Sequence, residues 1–223
     1  VFTLDNTYSM GNKALSVALM DVKEDANSDV DVVVATEGNA FEVWTNGGTG
    51  TLTLGATNAT NDGTAPNGIL LSDVDQDGDN DVMFATQGKR MEKWLNDGSG
   101  GFSYSSQKVL SQVALSIAAG ELNASAGEDM LVGMSGTKFQ VFENDGSGTF
   151  TGKPVQDPVG DVYAVALYDM DGDGDLDAVL GETGTDGIEI FANDSTGTFT
   201  LQSSTLTAGP CKALAATDFN YGQ

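Results

Sequence analysis

Two short stretches concentrate the side chains that could do chemistry. DVDQDGDND and DMDGDGDLD each carry carboxylates on alternate positions: Asp73, Asp75, Asp77, Asp79 and Asp81 in one, and Asp169, Asp171, Asp173, Asp175 and Asp177 in the other. Two unit charges about 5 Å apart repel by roughly 3 kcal/mol at an effective dielectric of about 20, so several such pairs in one tight loop cost on the order of 10 kcal/mol. A positive charge must sit among them. Hard oxygen donors in that number, with Gly78 and Gly174 permitting a sharp turn, suit Ca2+ and its flexible shell of about 6 to 8 oxygens better than the strict octahedron of Mg2+. The expected cage draws side-chain oxygens from positions one, three, five and nine and the backbone carbonyl from position seven. That makes Asp73, Asp75, Asp77 and Asp81 one set, with the carbonyl of Asp79, and Asp169, Asp171, Asp173 and Asp177 the other, with the carbonyl of Asp175. Neither loop is an EF-hand, because the twelfth position is Phe84 or Leu180 where an EF-hand needs a bidentate Glu.

Two further loops are weaker versions. DVKEDANSDVD, from Asp21 to Asp31, is longer and has Lys23 at its third position, leaving Asp21, Asp25, Asn27 and Asp31 as candidate ligands. ELNASAGED keeps Glu121, Asn123, Ser125 and Asp129 at the ligand positions, with only two carboxylates among them. The four loops hold 18 of the 33 acidic residues, so most of the formal charge of −24 belongs to them.

That charge opposes approach to phosphate backbones and anionic headgroups, so neither a nucleic-acid partner nor a membrane-surface partner is expected. No apolar run approaches the roughly 20 residues of a membrane span, so no direct membrane insertion is expected. The chain contains no His, which removes the commonest general base, the Ser/His and Cys/His nucleophile pairs and imidazole metal ligands. Cys211 is the single cysteine, so no intrachain disulfide can form, and it reads as a small apolar residue. A non-catalytic protein is expected.

The elements that must position the loops form a repeat. VWTNGGTGTL, KWLNDGSGGF, VFENDGSGTF and IFANDSTGTF share an aromatic (Trp44, Trp94, Phe142, Phe191), an Asn two residues on (Asn46, Asn96, Asn144, Asn193), a Gly and a terminal apolar residue. Upstream of each, an acidic loop ends at Asp31, Asp81, Asp129 or Asp177, at successive spacings of 50, 48 and 48, and a short apolar run follows. Each unit reads as four short strands separated by Gly, Asp and Asn turns, without a 3.6-residue stripe. Four-stranded units repeating at such a period predict an all-β fold, a β-propeller of four-stranded antiparallel blades. The blades are expected at about 13–55, 68–105, 113–152 and 161–203, in a single propeller region spanning residues 1–223, with half-blade strands at 1–6 and 213–220. Those ends fit a stretch of a longer propeller of about seven blades, the favoured reading, or strands that close a small ring, or self-assembly through pairing between molecules.

The Asp-rich loop, short apolar strand, aromatic strand and NDGxGxF turn resemble the FG-GAP or VCBS repeat over nearly the whole chain, although clear FG and GAP dipeptides are missing. The resemblance implies a propeller like the integrin α-subunit head, with calcium in the hairpin between a blade's inner strands. It also implies an extracellular protein, secreted or at the cell surface. The expected role is a calcium-rigidified scaffold for adhesion or surface assembly, with a protein or glycan ligand on the cell surface or matrix. The alternatives are a lectin binding sugar between blades and an accessory domain of a secreted polysaccharide-active enzyme.

Trp44 and Trp94 could stack on a sugar, but a residue repeated in every blade reads better as core. Lys89, Arg90 and Lys93 form a basic cluster that reads as a solvated strand edge or as a grip on an anionic glycan. The insertion GATNATNDGTAPNG, from Gly55 to Gly68, is expected to be either a projecting recognition loop or a flexible connector. Sequons occur at Asn58, Asn123 and Asn193, and a glycan on Asn123 would block the third loop as a cage.

Overall fold

Short runs of β-branched, aromatic and aliphatic residues bounded by Gly, Asn and Asp produce strands throughout the computed structural model, which describes residues 6–23, 29–184 and 187–217. The first blade comprises β1 (Ala14–Met20), β2 (Asp31–Thr36), β3 (Ala40–Asn46) and β4 (Leu52–Ala59). The second comprises β5 (Pro66–Ser72), β6 (Asp81–Thr86), β7 (Arg90–Asn96) and β8 (Phe102–Val109). The third comprises β9 (Ala114–Gly120), β10 (Asp129–Met134), β11 (Lys138–Asn144) and β12 (Phe150–Gly152), and the fourth β13 (Asp161–Tyr168), β14 (Asp177–Thr183), β15 (Gly187–Asn193) and β16 (Phe199–Leu206). Each blade is a four-stranded antiparallel sheet whose strands pair in sequence order. No helix occurs among the described residues.

Position within a blade explains the composition of each strand. The second strands DVMFAT and DMLVGM are buried at every residue, which accounts for their unbroken apolar runs. The outermost strands β4, β8 and β16 are largely exposed and correspondingly polar. The outer strand of the third blade stops after Gly152; Pro154, without an N–H, lies two residues on. Bulges recur at the same place in three blades, between Val43 and Trp44, Lys93 and Trp94, and Ile190 and Phe191. The turns between second and third strands carry Asn39, Lys89 and Thr137 in the left-handed region, with φ of 56°, 60° and 57°.

The chain divides into two compact units, Val1–Asp73 with Asp77–Leu110, and Val74–Gln76 with Ser111–Gln223. In the first, β5 packs against β1 and β2, and Phe41, Phe84, Trp94 and Phe102 fill the core. Phe41 lies 4.8 Å from Phe84 and 5.3 Å from Trp94, centroid to centroid, and such pairs add about 0.5–1.5 kcal/mol each beyond burial. In the second unit β13 packs against β9 and β10, and Phe139 meets Phe191 at 5.0 Å. The approach is close enough to demand glycine at Gly133, where a Cβ would lie 2.9 Å from the carbonyl oxygen of Val162.

Trp44 and Trp94 are each 8% exposed, so both belong to the packing, Trp44 against Tyr8 and Trp94 against Phe41. The 55–68 stretch does not project. It is the end of β4, a six-residue turn and the start of β5. Fully buried Glu92 anchors that turn by accepting from Asn61 N at 3.0 Å and Asp62 N at 2.7 Å. Lys93 is buried, and Arg90 donates to the carbonyls of Gly88 and Lys89, so the three basic residues do not form an open patch.

Residues 1–5 and 218–220 of the expected terminal strands lie outside the described residues, and residues 213–217 form no strand. The segment nonetheless runs beside β14: Cys211 N donates to Glu182 O at 3.0 Å, and a Cβ on Gly181 would meet Cys211 and Leu214.

Candidate metal centre

The acidic loops connect the first and second strands of each blade, and their first residue shapes the turn. Asp73 accepts from Asp77 N and Gly78 N, both at 3.1 Å, and Asp169 accepts from Gly172 N at 2.7 Å and Gly174 N at 3.1 Å. Gly78 and Gly174 adopt φ of 101° and 100°, a conformation that side chains resist. The fold thereby gathers Asp73, Asp75 and Asp81 so that one oxygen from each lies within 4.8 Å of the others, and it gathers Asp169, Asp171 and Asp177 in the same way.

These are positions one, three and nine. Position five, Asp77 or Asp173, is exposed and falls in neither group; its Oδ1 accepts from the backbone N–H of position seven at 3.0 Å in both loops. The side chain of position seven turns toward the β-turn of its own blade: Asp175 accepts from Ser195 Oγ at 2.6 Å, and Asp79 lies against Gly98.

The donor set fits a hard divalent cation. Three carboxylates at such separations repel by roughly 3 kcal/mol per pair at an effective dielectric of about 20, and in the fourth loop their hydrogen-bond partners are neutral amides. All six candidate donors are carboxylate oxygens, which suit Ca2+ or Mg2+.

The ninth residue also has a second task. Asp31, Asp81, Asp129 and Asp177 are all nearly inaccessible to solvent. Each accepts the backbone N–H of the repeat asparagine, at 2.7 Å from Asn46, 2.9 Å from Asn96, 2.7 Å from Asn144 and 2.9 Å from Asn193. The other oxygen takes the N–H of loop position two, from Val22 to Asp31, Leu122 to Asp129 and Met170 to Asp177.

The asparagines themselves tie loops together. Asn96 Nδ2 donates to Val22 O at 2.8 Å, Asn144 Nδ2 to Val74 O at 2.8 Å and Asn193 Nδ2 to Leu122 O at 2.9 Å, so each reaches position two of the preceding acidic loop. The sequence displayed these asparagines only as repeat markers; their recurrence in all four copies was the available signal. Asn123 Nδ2 is engaged with Asp129 and Glu143, and Asn193 Nδ2 with Leu122 O and Leu176 O, so neither sequon amide is free for a glycan.

The weaker loops gather no comparable group among the described residues. In the first, Asp25 and Asn27 lie outside the described residues, Asp21 accepts from Lys23 N and Asp31 is buried. In the third, Glu121 is exposed, Asn123 and Ser125 bond to each other, and Asp129 is buried. Burial pushes the Asp129 carboxyl above its usual range against the pull of the Asn144 and Leu122 amides, and burial with the charges of Asp129 and Glu128 raises Glu121.

The family model described as an FG-GAP-like repeat matches residues 25–84 and 122–180, two segments that contain the acidic loops of the second and fourth blades, all but the first residue of the third and most of the first. The chain belongs to the FG-GAP-like repeat family. Solved structures similar to this FG-GAP-like chain include BBS1N in complex with ARL6DN, soaked with lead, at 12% identity and a TM-score of 0.63, over 96% of this chain and 61% of that one. The same complex soaked with mercury gives 13% identity and a TM-score of 0.61 over 88% and 53%. A protein from Lactobacillus plantarum gives 15% identity and a TM-score of 0.63 over 88% and 72%. The chain thus spans about three fifths of the BBS1N chain it matches. At these identities the likeness establishes the fold, an FG-GAP-like β-propeller scaffold. No curated protein matches the chain.

Proposed function

We propose that this FG-GAP-like chain is a non-catalytic extracellular scaffold rigidified by Ca2+, which presents its surface to a protein or glycan partner in adhesion or surface assembly. The observation that carries the reading is the pair of convergent carboxylate groups, Asp73, Asp75 and Asp81, and Asp169, Asp171 and Asp177. Ca2+ supplies charge compensation there, while the protein supplies oxygens already fixed by the turn. Millimolar extracellular calcium would fill a site with a Kd of about 10 µM and add roughly 2.7 kcal/mol per site. Submicromolar cytosolic calcium would leave such a site empty, which favours the extracellular assignment.

A protein partner is favoured over a sugar because both tryptophans are packed away and the basic cluster is closed. BBS1N, to which this chain is similar in fold, was crystallised in complex with ARL6DN. Self-assembly is the other contact proposed: Val17 and Leu19 of β1 are 57% and 61% exposed, an open apolar row.

Calorimetric titration with Ca2+ and a thermal melt with and without chelator test the metal reading. Saturable binding with a higher Tm in calcium is expected, and identical melts would overturn it. A glycan array separates a lectin from a protein adhesin.

A further inference from the structure

Resting on that reading, we infer that the third blade's loop takes no ion, because Asn123 and Lys153 supply from within the chain the positive electrostatics that a cation supplies elsewhere. In the second and fourth blades the third and ninth loop positions are both aspartates, converging on one point. In the third blade the third position is Asn123, and its Nδ2 donates to Asp129 Oδ2 at 2.9 Å and to Glu143 Oε1 at 3.2 Å. An N–H dipole with its positive end outward lies between the third and ninth residues, where it opposes a cation. The amide oxygen faces the other way and accepts from Ser125 N at 2.6 Å.

The neighbourhood is rebuilt to match. Glu143 precedes the repeat asparagine, where the second and fourth blades have Leu95 and Ala192. Lys153 Nζ pairs with Glu143 Oε1 at 2.8 Å, with about a third of each side chain exposed. Counted from the Phe that opens the outer strand, the residue corresponding to Lys153 is Ser105 in the second blade and Gln202 in the fourth. Position seven is Gly127, which removes one more carboxylate. A Lys–Glu–Asn–Asp chain of contacts thus joins the residue just past the outer strand, the third strand and the loop.

The test is hydrogen–deuterium exchange on the full chain in calcium and in chelator. Chelation is expected to speed exchange at least about tenfold in 73–81 and 169–177 and less than about twofold in 121–129. Lys153→Met should speed exchange in 121–129 with or without calcium, and Asn123→Asp combined with Lys153→Met should give that loop a calcium response. Protection of 121–129 by calcium comparable to the other loops would overturn the inference, as would a double variant whose third loop ignores calcium. Failure of the calcium reading looks different: no wild-type loop responds, while Lys153→Met still loosens 121–129, which supports the internal network.

Discussion

The two ends of each blade are closed by different chemistry. At the end bearing the second-to-third strand turns, backbone bonds recur, Thr60 N donating to Asn39 O, Leu110 N to Lys89 O and Ser135 N to Val113 O, and the carboxylates of Glu92 and Asp161 each cap a separate turn without converging on one another. At the opposite end, carboxylates and asparagine amides do the closing, and in two loops three aspartates converge, the groups proposed to hold a cation. On the proposed reading one end is indifferent to the ion and the other is built around it.

Metal removal is the strongest way to break that comparison. With both sites emptied, the expected fall in Tm is about 10–20 °C, from roughly 2.7 kcal/mol per site. Exchange should rise at the loop end and stay unchanged at 37–39 and 87–89. Asp177→Ala comes next, at about 3 kcal/mol, because the amides of Asn193 and Met170 both lose their acceptor. Chemical denaturation should show most of that loss even in chelator, since those bonds need no ion. Asn193→Ala, which strips Leu122 O and Gly197 N of partners, should cost about 2 kcal/mol.

The backbone-closed end is sharpened by a gain. Lys89 holds φ at 60°, so Lys89→Gly is expected to stabilise by about 0.5–1 kcal/mol, independently of calcium.

The smallest effect is acid sensitivity of the NDG-type turns. The hydroxyls of Ser99, Ser147 and Thr196 hold Asp97, Asp145 and Asp194 below the ordinary carboxylate value of 3.8. A depressed folded value means the contribution is present above pH 3.8 and is lost as pH falls through the folded value. Carboxyl-carbon NMR titrations should place all three transitions below 3.8.

The inner strands and acidic loops were legible because burial on both faces writes an unbroken apolar run, and closely spaced aspartates have few other uses. Which oxygens converge was not legible: Asp77 and Asp173 sit at a ligand-like spacing, yet they stand outside the two converging groups, with one oxygen of each accepting the N–H of Asp79 or Asp175. The second half of β4, GATNA from Gly55, reads as the start of an insertion because an exposed strand has no apolar alternation to display. The asparagine contacts to Val22, Val74 and Leu122 span about 70 residues of sequence, a tertiary relation that local pattern cannot express.

Those long-range asparagine contacts also define where the repeat can be cut. Each amide is notched to a carbonyl one residue past the start of the preceding acidic loop, so that loop and the next blade's turn form one mating pair. The spans from Val22 to Asn96, Val74 to Asn144 and Leu122 to Asn193 overlap, so a seam anywhere along them parts at least one loop from its mate, and a grafted blade must bring an asparagine turn and a position-two carbonyl that fit its new neighbours. A seam between the loop and its matching turn would leave both halves misfitted, however well each sheet is formed.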